Sequence, residues 1–340
     1  MVNDLAAVRI NELLDKYSYA GDFFVANGIN FSDTDQTIEA LVSSLRDEEL
    51  DDIGLDQERI ISDLADFLER MERLKSGSAP DVSSISILGG SDKAGEPESI
   101  TLELKVGEVV AVVGPTGSGK SRLLADIECL AQRDTPTGRQ ILVNGAVPDR
   151  SRRFAIENKL VAQLSQNMNF VVDLSVEEFV GLHAESRMLT DVDGAIDEII
   201  SCANELAGEE FARSTPLTQL SGGQSRALMI ADTALLSVSP IVLIDEIENA
   251  GIDRRKAVQF LVKKEKLVLI STHDPVLALA GDKRIVIRNG GIGEVIVMSD
   301  EEKALIDVLE DVDKRMADIR NHIRKGGIVE KTMVDFSSTR

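Results

Sequence analysis

Val109-Val110-Ala111-Val112-Val113-Gly114-Pro115-Thr116-Gly117-Ser118-Gly119-Lys120-Ser121 is the stretch that decides the fold. Its five opening residues form an uninterrupted apolar run of strand length, the texture of a strand buried on both faces. The glycine-rich octapeptide follows at once and opens a helix predicted over Arg122–Ala131. Glycines at this spacing let backbone amides turn inward around phosphate oxygens, and the helix N-terminus adds its positive end. Lys120 then brings a charge to the β/γ oxygens, and the Ser121 hydroxyl is available to Mg²⁺. Strand, loop and helix in this order define a nucleoside triphosphate site.

Working outward, apolar runs of strand length alternate with helical segments: Ile100–Leu104, Ile141–Val143, Ile241–Ile244 and Leu267–Ile270. Arg284–Arg288 and Glu294–Met298 are joined by an Asn-Gly-Gly turn. Such alternation predicts an α/β domain with a mainly parallel, mixed sheet over residues 99–298, and Ser84–Leu88 reads as its first strand. Around that strand, residues 76–98 are rich in Ser, Gly and Pro and read as a linker. Residues 1–75 form a small all-α domain. Its last segment places Ile60, Leu64, Phe67, Met71 and Leu74 on one helical stripe, with Asp56 at the N-cap position. Residues 299–340 read as a helix and a polar, loose tail. In that helix Leu305, Leu309, Val312, Met316, Ile319 and Ile323 follow heptad spacing, which suits packing on the chain's own core as well as a dimer seam.

The chain's 340 residues carry 37 basic against 59 acidic side chains, a formal charge of −22, so phosphate backbones are repelled and nucleic acid is not expected as a partner. Residues 1–75 hold 18 acidic and 7 basic side chains, half of the net charge. This surface is either simply solvated or a docking face for a basic partner. Cys129 and Cys202 are too few for a disulfide framework and point to a reducing compartment. No apolar run reaches bilayer length and the N-terminus carries no leader pattern. A cytoplasmic location is expected, at most peripheral at the inner face of a membrane.

Three further motifs add chemistry. Ile241–Ile244 ends in Asp245-Glu246, where one carboxylate can reach the Ser121-bound metal and the next can polarise an attacking water. Leu220-Ser221-Gly222-Gly223-Gln224 stands about twenty residues upstream, opening a helix predicted over Gln224–Leu236. Ser221 and the amides of Gly222 and Gly223 can donate to a phosphate there. Ser271-Thr272-His273-Asp274 follows the apolar strand Leu267–Ile270.

Over residues 84 to 298 this set resembles the ATP-binding cassette (ABC) ATPases, whose signature is the pentapeptide 220–224. The resemblance implies that ATP and Mg²⁺ are bound by Gly114, Pro115, Thr116, Gly117, Ser118, Gly119, Lys120, Ser121 and Arg122. It implies metal contacts from Ser121, Gln166 and Asp245, and catalytic roles for Glu246, His273 as the switch histidine, and Gln166 in the glutamine loop, with Gln163 as a rival. A helical subdomain spans about 167–225. Leu220, Ser221, Gly222, Gly223 and Gln224 would cap the nucleotide of a second protomer, and Asp253 would touch the partner across a head-to-tail homodimer formed on ATP binding.

Two departures stand out. After Glu246 the chain reads Ile247-Glu248-Asn249-Ala250-Gly251-Ile252-Asp253, one residue longer than the family's segment, and the basic stretch that follows suggests a trimmed helix. The aromatic ring the family stacks on adenine is also missing, since none lies between Phe67 and Phe154, which leaves the base to aliphatics such as Ile87 or Leu88, or to nothing fixed, and predicts weak adenine selectivity. Two functions follow. One is a soluble ABC-type ATPase acting on a protein or metallocofactor partner through residues 1–75; the other is the nucleotide-binding subunit of a transporter with separate membrane permease subunits.

Overall fold

The computed structural model describes residues 5–45, 57–75, 81–149, 153, 159–165, 170–247, 252–330 and 333. Asp56, Gln166 and Glu248 to Gly251, within the segment that is one residue longer than the family's, fall outside the described residues. The chain divides into two compact units, Met1–Ser78 and Ala79–Arg340.

In the first unit, helices α1 (Ile10–Lys16), α2 (Ala20–Ala26), α3 (Ile38–Ser44) and α4 (Gln57–Lys75) surround a core of Ile10, Leu13, Phe24, Ile38, Ile60 and Leu64. Phe67 sits against the rings of Tyr19 and Phe23, at centroid distances of 6.3 and 5.5 Å. The hydroxyl of Tyr19 donates to Glu72 at 2.6 Å, an acceptor for the one polar atom of an otherwise apolar ring.

The second unit holds two sheets. β1 (Ser84–Leu88), β2 (Leu102–Lys105) and β4 (Gln140–Val143) pair antiparallel in the order β2-β1-β4. The six-stranded sheet runs β5-β6-β7-β3-β8-β9, made of β5 (Val161–Leu164), β6 (Ile241–Asp245), β7 (Leu267–Ser271), β3 (Val109–Val113), β8 (Lys283–Arg288) and β9 (Gly291–Val297). Its first five strands are parallel and β9 returns antiparallel through the Asn289–Gly290 turn. β3, β6 and β7 are nearly all apolar because both faces of the sheet are covered, whereas Leu102–Lys105 alternates buried and exposed. On one face lie the antiparallel sheet and α5 (Lys120–Glu128), sharing a core with Val110, Val112, Leu243 and Leu269. On the other, Val109, Val242, Ile244, Val268 and Ile270 pack with α6 (Val176–Ser186), α7 (Val192–Leu206) and α8 (Gly222–Leu235).

The predicted strands fall within two residues of the observed ones at their N-terminal ends, apart from Glu294–Met298, which begins three residues early as β9. β5 has no counterpart in the sequence reading. Within the segment read as a linker, Gly89 to Glu98 instead folds back on the cassette core, with the Gly90 amide donating to Glu98 at 2.9 Å. The helix after Asp253 is indeed short, α9 (Arg254–Lys263), followed by α10 (Pro275–Ala280), α11 (Asp300–Ala304) and α12 (Ile306–Arg324). Of the six heptad residues only Ile319 is buried; Leu309 and Val312 are half-buried, while Leu305, Met316 and Ile323 stay 40–54% exposed. Ion pairs from α9 hold this helix more visibly than apolar packing does.

Candidate functional site

Parallel strands deliver their C-terminal ends to one edge of the sheet, and that edge is where loops can converge on a ligand. β6, β7 and β3 are neighbours there, with Asp245 in register with Ser271, and Val112 with Ser271. The phosphate loop leaves β3, Asp245 and Glu246 end β6, and Thr272, His273 and Asp274 leave β7. The Ser121 hydroxyl lies 3.4 Å from Asp245 Oδ2, across 124 residues of sequence. Lys120 is buried and its ammonium donates to the Gly114 carbonyl at 2.9 Å.

The helix begins two residues earlier than its sequence suggests, at Lys120, because Gly119 (φ +112°) turns the chain directly into the first helical turn. A Cβ on Gly119 would fall 2.9 Å from the Cα of Gly290, and one on Gly114 (φ +151°) would fall 2.6 Å from the Ile287 carbonyl and 2.7 Å from Ser118 Oγ. These glycines are required by close approach as well as by backbone conformation.

Glu246 adopts φ +50°, uncommon for a residue with a side chain, and its amide donates to the Ser271 carbonyl at 3.0 Å. Such conformations concentrate at functional sites. After His273, the Thr272 hydroxyl accepts the Asp274 amide at 3.0 Å and Asp274 caps α10 by accepting from Leu277 at 3.0 Å. Gln166 lies outside the described residues. Its rival Gln163 is inside β5 with its amide beside Glu128, so it is a strand residue and not part of a loop at the sheet edge.

The signature opens α8 as predicted, though the helix starts at Gly222. Ser221 and Gln224 form a reciprocal capping box: Oγ accepts the Gln224 amide at 3.3 Å and Gln224 Oε1 accepts the Ser221 amide at 2.8 Å. Ser221 and Gly222 are exposed, and a Cβ on Gly222 would meet nothing within 4 Å. With its oxygen accepting in the cap, the Ser221 hydroxyl still has its proton to donate outward. Asp253 caps α9 by accepting from Lys256 at 3.0 Å and is itself open to solvent. Ile87, a residue of β1, is fully buried and closed to a nucleobase, contrary to the expectation that the base rests on it; Leu88 is half-buried.

Sequence reasoning missed a buried ionic cluster beside this site. Arg139, wholly buried, binds Glu98 through Nε at 2.9 Å and Nη2 at 2.6 Å, and Asp126 through Nη1 at 2.9 Å. Burial alone would raise the Glu98 pKa, but its bonds to Arg139 and to the amides of Gly90 and Ile292 outweigh that and hold it below the usual range. One signal was readable: Asp126 sits among Leu123, Leu124 and Ile127 on the buried face of α5, where a charge demands a partner.

The donor set suits a magnesium-bound nucleotide. Ser121 and Asp245 offer hard oxygen ligands, the kind Mg²⁺ takes in ones and twos alongside substrate phosphates. Ser118 Oγ is buried with no hydrogen-bond partner among the described residues, inside a loop that a Cβ on Gly114 would obstruct.

Phosphate loop, strand-end carboxylates and a helical signature subdomain on a mixed sheet define a nucleotide-binding cassette. Comparison with known proteins gives the same class. The ABC transporter family matches residues 97–249. An uncharacterized ABC transporter ATP-binding protein of Methanocaldococcus jannaschii is 51% identical over 247 residues, covering 72% of this chain and 94% of that protein. The lipoprotein-releasing system ATP-binding protein LolD of Psychrobacter arcticus is 28% identical over 200 residues, 56% of this chain and 86% of LolD. Among solved structures, a dimeric post-hydrolysis ATP-binding cassette of M. jannaschii bound to ADP and Pi aligns with a TM-score of 0.50 at 26% identity, over 63% of this chain and 99% of that one. The chain belongs to the ABC transporter ATP-binding family, whose cassettes bind ATP with Mg²⁺. No helix among the described residues is long and apolar enough to cross a membrane.

Proposed function

We propose that this chain hydrolyses ATP at a head-to-tail dimer interface and serves as the ATP-binding subunit of an ABC transporter whose membrane permeases are separate chains. The observation that carries the hydrolytic reading is the meeting of Ser121 and Asp245 at the strand edge, with Glu246 following in a left-handed backbone conformation. The transport role rests on relatives named as ABC transporter ATP-binding proteins.

Ser121 and Asp245 would hold Mg²⁺, which supplies charge neutralisation on the β and γ phosphates. Lys120 exchanges its bond to the Gly114 carbonyl for phosphate oxygens. Glu246 accepts a proton as a water oxygen bonds to the γ phosphorus and the bond to the ADP oxygen breaks, leaving ADP and inorganic phosphate. His273 contacts the γ phosphate from β7. Across the dimer, the Ser221 hydroxyl and the first amides of the partner's α8 donate to the same phosphate, so a lone protomer has only half of each site.

The Glu246→Gln variant is expected to lower turnover by at least about a hundredfold while trapping an ATP-bound dimer, measured by phosphate release and size-exclusion chromatography. Unchanged turnover removes Glu246 from its role, and full activity in a strictly monomeric protein removes the shared site. A second reading, a client-acting ATPase, is favoured by the separate core of Met1–Ser78. Pull-downs with and without residues 1–75 separate the two: permeases recovered by both forms support transport, whereas soluble partners lost on truncation support the client reading.

A further inference from the structure

The phosphate loop is gripped from outside by residues that belong to none of the nucleotide motifs. The β8–β9 turn presses on it: the Gly290 amide donates to the Ser118 carbonyl at 2.6 Å, and Gly290 Cα lies where a Cβ on Gly119 would go. Lys93, in the loop after β1, reaches the next carbonyl upstream, its ammonium donating to Gly117 at 2.6 Å. The same loop is stitched to the turn by the Lys93 amide to the Asn289 carbonyl at 2.8 Å and by Asn289 Nδ2 to Asp92 at 2.9 Å.

Behind turn and loop stands Arg139. Besides its bonds to Glu98 and Asp126, its Nη2 donates to the Gly290 carbonyl at 2.7 Å. Glu98 accepts the Ile292 amide at 2.6 Å, and Asp126, on the helix that the phosphate loop opens, also accepts the Thr137 hydroxyl at 2.9 Å. One guanidinium therefore fixes four pieces of chain: the loop after β1, helix α5, the approach to β4 and the β8–β9 turn. Its planar fork makes these directions rigid in a way an ammonium would not.

We propose that Lys93 and the Asn289–Gly290 turn, anchored by Arg139, form an outer brace that holds the phosphate loop in its nucleotide-accepting shape, so that Lys93 and Arg139 are positioning residues for nucleotide affinity. The inference rests on the nucleotide-binding reading above. Its physical basis is the planar trans peptide, in which the carbonyl and the following N–H point opposite ways. Holding the Ser118 carbonyl outward aims the Gly119 N–H at the interior, where phosphate oxygens bind; in the resting loop the neighbouring Ser118 N–H is occupied by Pro115 at 3.0 Å. A brace on the peptides acts on the phosphates and is indifferent to the base. It offsets the missing aromatic ring: affinity shifts from stacking to a preorganised loop.

The test is Lys93→Met in the full chain, with Asn289→Ala beside it, both exposed changes that spare the core. Steady-state ATPase and calorimetric titration with ADP and GDP are the readouts. KM for ATP is expected to rise about three- to tenfold, the scale of one charge-assisted hydrogen bond exposed to solvent, with kcat within about twofold. Kd for ADP and GDP should rise by the same factor. Arg139→Lys, which keeps the charge but loses the bidentate grip, should raise KM further; if it does not fold, the two surface variants decide. Unchanged affinity in both overturns the brace. So does a rise for ADP without one for GDP, which would make Lys93 a base contact, or a fall in kcat at constant KM. A wild-type protein that binds neither nucleotide breaks the parent reading, whereas wild-type binding that both Lys93→Met and Asn289→Ala leave untouched breaks the brace alone.

Discussion

Two arginine-centred clusters in the cassette use the same chemistry in different media. Behind the phosphate loop, the side chains of Arg139, Glu98 and Asp126 are 0, 3 and 1% exposed. Along the C-terminal helix, Arg254 pairs with Asp274 and Asp313, and Arg255 with Asp307 at 3.3 Å and Glu310 at 3.0 Å, over a cavity of about 570 Å³ lined also by Gln259, Val276 and Lys314. There Arg255 and Asp307 are 42 and 85% exposed. Water relieves a broken bond around Arg255 and cannot in the first cluster. The buried cluster can therefore fix geometry at a site, at the risk of stranding charge, while the exposed Arg255 pairs can only bias where a helix lies.

The largest expected effect is Arg139→Met, which leaves two carboxylates buried without their cation and should cost about 3–5 kcal/mol in urea unfolding. Replacing Glu98, Arg139 and Asp126 together by apolar residues of similar volume should restore most of that stability without restoring nucleotide affinity. A loss below about 1 kcal/mol for the single change would mean that water reaches the cluster, and the contrast between the two regions would collapse.

Acid titration is the next measure. Because the folded Glu98 carboxyl titrates below its ordinary value, the folded state binds fewer protons than the unfolded chain as pH falls past that ordinary value. Its stabilisation is complete above the unfolded pKa and is lost as pH drops through the folded one. Unfolding free energy should fall more steeply between about pH 5 and 3 in the wild type than in Glu98→Gln. Parallel slopes would remove Glu98 from the balance.

The comparison also explains what was readable in the sequence. Gly114 to Ser121, Asp245, Ser221 to Gln224 and His273 are legible because each is a local pattern at the end of a strand or the start of a helix, where backbone geometry dictates the residue types. β5 was not, since four residues containing Gln163 give too little apolar periodicity. Nor was the brace: Arg139 meets Glu98 across 41 residues and Gly290 across 151, and no short-range rule links them. Composition points the wrong way over Gly89 to Glu98: a Cβ on Gly89 would fall 2.4 Å from the Glu98 carbonyl and one on Gly90 1.9 Å from the Thr137 carbonyl, so these two glycines serve close packing and not a linker.

The smallest effect belongs to the exposed cluster. Arg255→Ala removes bonds to two partly solvated carboxylates, Asp307 and Glu310, whose side chains lose little by turning to water. Exposed pairs of this kind contribute under about 1 kcal/mol, and salt screens them within about 10 Å at 0.1 M and about 3 Å at 1 M. The variant's deficit in thermal or urea unfolding should therefore be small at low ionic strength and vanish near 1 M NaCl. The deficit of Arg139→Met should persist there, because counter-ions do not enter a cluster from which water is excluded. If both deficits faded together with salt, the medium would not distinguish the clusters, and the rigidity assigned to Arg139 would have to come from packing alone.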